Sequence, residues 1–199
     1  MSAVEKHPVF DEREAHMTTE VIGGLTLMSP RPALPHAVAA MQLATIVSHR
    51  FHRRTGGPPD RPGGWIILAE PELRIDDDVL APDLAGWRRE RWPLLPRENA
   101  AAVRVSPDWV CEILSGSTEK TDRQRKVPAY HKYGVQHLWL VHPLLQTVEI
   151  FRRSDAGFVL IGTYCDKDVM RAEPFEVAEL ALEEVWAEDD FAPAGPPPG

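Results

Sequence analysis

Pro107-Asp108-Trp109-Val110-Cys111-Glu112-Ile113-Leu114-Ser115 sets one carboxylate, Glu112, inside a run of Trp, Val, Cys, Ile and Leu. Such a run reads as a buried central strand. A carboxylate is costly to bury alone, so it needs a cation or good hydrogen-bond donors. Upstream, Ala81-Pro82-Asp83-Leu84-Ala85-Gly86-Trp87 repeats the pattern with Asp83 at the head of a second apolar strand. If the two strands are neighbours, the carboxylates converge and can hold a divalent ion. Downstream, Thr121-Asp122-Arg123-Gln124-Arg125-Lys126-Val127-Pro128-Ala129-Tyr130 supplies a lysine. Asp, Glu and Lys around one metal ion can cleave a phosphodiester.

Each residue also has a plainer reading. Asp83 after Pro82 could cap a turn. Glu112 could form a structural ion pair with an arginine. Lys126 could be one more exposed cation on a basic helix. Asp122 lies four residues before it, so the two pair across one turn if the helix is continuous. Pro128 fits a first helical turn better than an interior, which would start the regular helix near Arg125 and leave Asp122 in a loop.

The rest of the chain frames these segments. Val21 to Met28 reads as a hairpin about Gly23-Gly24, and Ser29-Pro30-Arg31-Pro32 as a rigid connector. Ala39, Leu43, Ile46, Val47 and Phe51 recur at helical spacing from His36 onward. Strands are expected at Trp65–Leu68, Glu72–Ile75, Leu84–Trp87, Trp109–Leu114 and His137–Val141. An antiparallel pair is expected at Thr147–Arg152 and Gly157–Thr163, and a closing helix at Leu180–Trp186. Asp76-Asp77-Asp78 reads as a solvated turn. Gly134 is placed to end the helix that carries Lys126. This order predicts a central mixed β-sheet flanked by helices.

The sequence has 199 residues and 43% hydrophobic content, which predicts one domain over 18–188. Residues 1–17 read as a flexible arm and 189–199 as a disordered Pro/Gly-rich tail. The formal charge of −8 argues mildly against a nucleic-acid partner, but seven of the 30 acidic residues fall from Glu176 onward with no Lys or Arg among them. Without those seven, 23 acidic residues face 22 basic ones, so the body is close to neutral. Basic clusters at Arg50, Arg53 and Arg54, at Arg88, Arg89 and Arg91, and at Lys120, Arg123, Arg125 and Lys126 read as solvated charge or as the rim of a phosphate site. Cys111 reads as a buried hydrophobe, and the two cysteines form neither a metal spacing nor a redox motif. The eight His form no HExxH pattern, and no phosphate-binding glycine loop or nucleophile elbow occurs. Neither a signal segment nor a membrane-length apolar run is seen, so a cytoplasmic protein without a membrane partner is expected.

Pro82-Asp83, the block from Pro107 to Ser115, Thr118, Asp122, Lys126, Tyr130, Gly134-Val135 and Trp139-Leu140-Val141 together resemble the Uma-two family of putative restriction endonucleases, within the PD-(D/E)xK nuclease superfamily. Glu20, Gly24, Met28-Ser29-Pro30 and His36 fit the same pattern. The likeness covers residues 18 to 187. It implies an α/β, restriction-endonuclease-like core and a metal-dependent endonuclease acting on phosphodiester bonds, with DNA the expected polymer. Asp83 and Glu112 would hold Mg²⁺ or Mn²⁺, and Lys126 would assist. Glu20, His36 and Asp122 would support the site, with an exposed strand-edge position the alternative for Glu20 and a cap or core contact for His36. The chain departs from the superfamily where a lysine usually follows the glutamate, because Leu114 stands there. It also has His142 where the family often has an acidic residue. The alternative is a weak or inactive member that binds nucleic acid or a protein. A homodimer is one arrangement open to a double-strand cutter.

Overall fold

The computed structural model describes residues 17–30, 33–96, 102–116 and 118–186. The expected tail and all but the last residue of the expected arm lie outside these residues. Two sheets form the frame. The larger has six strands in the order β10-β9-β8-β7-β6-β3. These are β3 (Trp65–Ala69), β6 (Leu84–Arg88), β7 (Trp109–Ile113), β8 (His137–His142), β9 (Thr147–Ser154) and β10 (Gly157–Cys165). Only β7 and β8 run parallel; every other neighbouring pair is antiparallel. The smaller sheet has the order β2-β1-β5-β4, from β1 (Met17–Ile22), β2 (Leu25–Pro30), β4 (Leu73–Ile75) and β5 (Asp78–Leu80). A short pair, β11 (Val169–Met170) and β12 (Leu180–Ala181), precedes the last helix.

The helices are α1 (Leu34–Phe51), α2 (Glu119–Thr121), α3 (Val127–Lys132) and α4 (Glu183–Trp186), with a π turn at Asp122–Lys126 between α2 and α3. Side-chain alternation along β7 explains the layering. Trp109, Cys111 and Ile113 face the core beneath α1, with Phe51, Trp65, Trp139 and Phe175. Trp109 meets Trp139 and Phe175 edge-on at 5.2 and 5.0 Å. Val110 and Leu114 face the opposite core, with Trp87, Tyr130, Leu138 and Leu140. Glu112 shares the parity of Val110 and Leu114, so it points into this second layer beside α3 and the small sheet.

Four segments differ from the sequence reading. Ser29 and Pro30 complete β2 and are not a connector. Asp78 is buried and begins β5; it accepts the Gly23 N–H at 2.7 Å and the Tyr133 O–H. The carboxylate is therefore tied to the hairpin turn, where Gly23 and Gly24 adopt φ of 59° and 77°. The Leu180–Trp186 segment is a two-residue strand followed by a single helical turn. The helix carrying Lys126 starts at Glu119, ahead of Pro128, and widens into the π turn, where the Val127 N–H reaches the Asp122 carbonyl. It stops at Gly134, whose φ is 79°.

Among the described residues, no helix is long and apolar enough to cross a membrane. Cys111 is a buried free thiol and Cys165 an exposed one.

Candidate active site

Leu84 pairs with Cys111 in the β6–β7 ladder. One step beyond that pair, Asp83 stands across from Glu112 on the same face. A cleft of about 360 Å³ opens there, between the main sheet, the small sheet and the helix that follows β7. Glu20, His36, Asp83, Glu112, Asp122 and Lys126 all line it. Segments spread from residue 20 to residue 126 thus meet at one place.

Asp83 is fixed by two donors. Its Oδ1 lies 2.8 Å from His36 Nε2, and its Oδ2 accepts the Ile113 N–H at 2.6 Å. That N–H sits where the β6–β7 ladder ends, so a side chain takes over a backbone bond. His36 comes from the first turn of α1; among the described residues its Nδ1 is buried without a hydrogen-bond partner.

Glu112 is almost completely buried, with 2% of its surface exposed. Its Oε1 accepts the Tyr130 O–H and its Oε2 lies 3.3 Å from Lys126 Nζ. The partner is a lysine rather than the arginine considered from sequence. Lys126 is buried too, and its Nζ stands 3.0 Å from Glu20 Oε2 and 3.3 Å from Asp122 Oδ1. Glu20 is buried rather than exposed at a strand edge; its other oxygen accepts the Ala81 N–H at 2.8 Å. One ammonium therefore serves carboxylates from β1, β7 and the π turn.

The electrostatics follow from this crowding. Burial pushes the Glu112 carboxyl well above the usual carboxylate range; Lys126 pulls it down, while Asp122, Asp83 and Glu20 push it further up. Asp122 is also raised, again chiefly by burial, against the lowering effects of Lys126 and Thr118. Burial works against the Lys126 charge, but Glu112, Glu20 and Asp122 outweigh it and hold Lys126 protonated well above its ordinary range. The Tyr130 hydroxyl is raised by burial and by Glu112, so it remains a donor.

The cleft lining includes the six carboxylates of Glu20, Glu70, Glu72, Asp83, Glu112 and Asp122, with Lys126 the single Lys or Arg among the described residues that line it. This excess of hard oxygen donors suits a divalent ion such as Mg²⁺ or Mn²⁺. Among the described residues, no three His, Cys, Asp or Glu side chains form a ready coordination set. The carboxylate oxygens keep lone pairs beyond the bonds described. Donor type and charge therefore fit such an ion.

Sequence reasoning passed over Tyr130 as a site residue, although it lies four residues after Lys126 on the same helix. It also missed the Ile113 and Ala81 N–H groups, which have no sequence signal, and the rim residues Glu70 and Glu72.

No protein of curated function matches the chain. A crystal structure of "a putative nuclease belonging to DUF820" from Anabaena variabilis ATCC 29413 superimposes with a TM-score of 0.66 at 20% identity, covering 85% of this chain and 89% of that one. The likeness supports the restriction-endonuclease-like, mixed-sheet fold. A profile of the Uma2 family, described as "Putative restriction endonuclease", matches residues 4–187, nearly the whole sequence. The chain belongs to the Uma2 family.

Proposed function

We propose that this protein is a metal-dependent endonuclease that hydrolyses phosphodiester bonds, with DNA as its polymer. The observation carrying this reading is that Asp83, Glu112 and Lys126 line one cleft although their segments are far apart in sequence. Asp83 and Glu112 would hold Mg²⁺ or Mn²⁺, with Glu20 and Asp122 completing the negative surround. Such an ion supplies an acidified water and offsets charge on the phosphate.

The chain's own residues have separable tasks. His36 and the Ile113 N–H orient Asp83. Tyr130 orients Glu112. Lys126 is held protonated, so its role is to donate a hydrogen bond and stabilise charge on a phosphate oxygen, not to remove a proton. Its long stem lets the helix supply the cation that Leu114 cannot. On this reading the work would be done in the cytoplasm, by one copy or by a homodimer.

A second reading is favoured by the tight hold of three carboxylates on Lys126, which leaves little of its charge for a substrate. On that reading the protein binds nucleic acid or a protein and cuts poorly. Incubation with plasmid, linear and single-stranded DNA, with and without Mg²⁺ or Mn²⁺, separates the two. Ion-dependent cleavage lost in Glu112→Gln supports the nuclease. DNA binding with neither ion binding nor cleavage supports the module.

A further inference from the structure

We infer that the cleft accepts a single polynucleotide strand and excludes continuous duplex; this rests on the phosphodiesterase reading above. Three observations carry it. First, the reacting groups lie deep. Glu112 and Asp122 are each 2% exposed, so a scissile phosphate must enter the cleft to meet them. Second, the space is small. About 360 Å³ is at the low end for a site that takes one small ligand. Thr18, Thr19, Ser29 and Pro30 of the β1–β2 hairpin form one wall, and the sheet and helix form the others. A duplex is stiff over lengths far greater than this opening, so it cannot turn one strand inward while staying paired. A single strand bends freely at each nucleotide.

Third, among the described residues the charged side chains near the cleft are unevenly placed. On the Asp83 side stands exposed Glu70, whose N–H donates to the Asp83 carbonyl at 2.9 Å; Glu72 beside it is ion-paired to Arg74 at 2.6 Å. On the helix side, Lys120 and Arg125 are exposed on the segment that carries Asp122 and Lys126 inward. One phosphate backbone can follow the helix side. A second backbone, fixed alongside it by base pairing, would lie against the Glu70 carboxylate. Non-specific electrostatics alone would favour duplex, because its charge density is higher. A preference for single strands would therefore report the shape and sidedness of this cleft. Either a DNA or an RNA strand would satisfy the argument.

The test uses the full chain in Ca²⁺, with fluorescence anisotropy on a short single-stranded DNA, the same sequence as RNA, and its blunt DNA duplex. Binding of a single strand at least about tenfold tighter than the duplex is expected. Comparing the DNA and RNA arms identifies the sugar. Equal affinities, tighter duplex binding, or no measurable binding of either single strand overturns the inference. Hydrolysis of bis(p-nitrophenyl) phosphate in Mn²⁺ is measured separately, because this small flexible diester tests the phosphodiesterase reading without a duplex constraint. Diester hydrolysis with no strand preference leaves that reading standing and removes this one.

Discussion

Lys126 Nζ stands nearer to Glu20 Oε2, at 3.0 Å, than to Glu112 Oε2, at 3.3 Å. The residue given a catalytic role is thus anchored by a strand of the other sheet. Replacing Lys126 with Met leaves buried carboxylates without their shared cation, at a cost of about 3 kcal/mol. The carboxylates of Lys126→Met would respond by taking up protons. Their folded-state pKa values would rise above the unfolded ones, so stability would be lost as pH climbs out of the usual carboxylate range. Thermal melts should show parent and variant close together near pH 5 and well separated near pH 8. Equal separation at both ends would contradict the shared-cation account.

Divalent-ion affinity should depend on pH for the same reason. Glu112 and Asp122 are both raised by burial, and an ion binds only their ionised forms. Mn²⁺ affinity is expected to strengthen as pH rises above the usual carboxylate range, with protons released on binding. Calorimetry in two buffers of different ionisation enthalpy measures that release. A flat affinity from about pH 5 to 8 would mean that these carboxylates do not hold the ion.

Tyr130→Phe keeps the packing and removes the hydroxyl that donates to Glu112. Losing a hydrogen bond to a buried carboxylate should cost about 2 kcal/mol in denaturant titrations. The acid limb of the activity profile should also move to higher pH, because the charged form of Glu112 has lost a donor. A stability loss with an unmoved limb would give Tyr130 a packing role alone.

His36→Ala should lower cleavage by about tenfold to a hundredfold, as expected when the residue orienting a ligand carboxylate is removed. The His36 side chain is 11% exposed and lies at the start of α1, so the melting temperature should change by only a few degrees. Steady-state kinetics beside a thermal melt checks both parts. Unchanged cleavage would leave Asp83 dependent on the Ile113 N–H.

The mixed sheet and its central strand were legible because apolar runs such as Trp109–Ile113 report burial directly. The position of Glu112 within that run was equally visible, since a charge among large apolar residues stands out. The partners of Glu112 were less visible. Glu20 looks like any polar residue of a hairpin strand, and its contact with Lys126 depends on how two sheets pack, which local pattern does not encode. Asp78 read as part of a solvated acidic run because its donors, Gly23 and Tyr133, lie far away in sequence. Pro128 raised the right question about the helix, but periodicity has no template for a turn that changes width partway along.

That wide turn, at Asp122–Lys126, acts as an angular correction. In a regular α-helix each residue advances about 100°, so eight steps from Asp122 to Tyr130 would leave the two side chains about 80° apart. A π turn winds more slowly and takes back that excess. Asp122, Lys126 and Tyr130 then fall on one line, and two of them reach Glu112 from one helix. The phase of this wall is set by how many residues the turn contains, independently of their chemistry. Shortening the segment by one residue would keep every functional side chain in the sequence and rotate part of the set out of alignment.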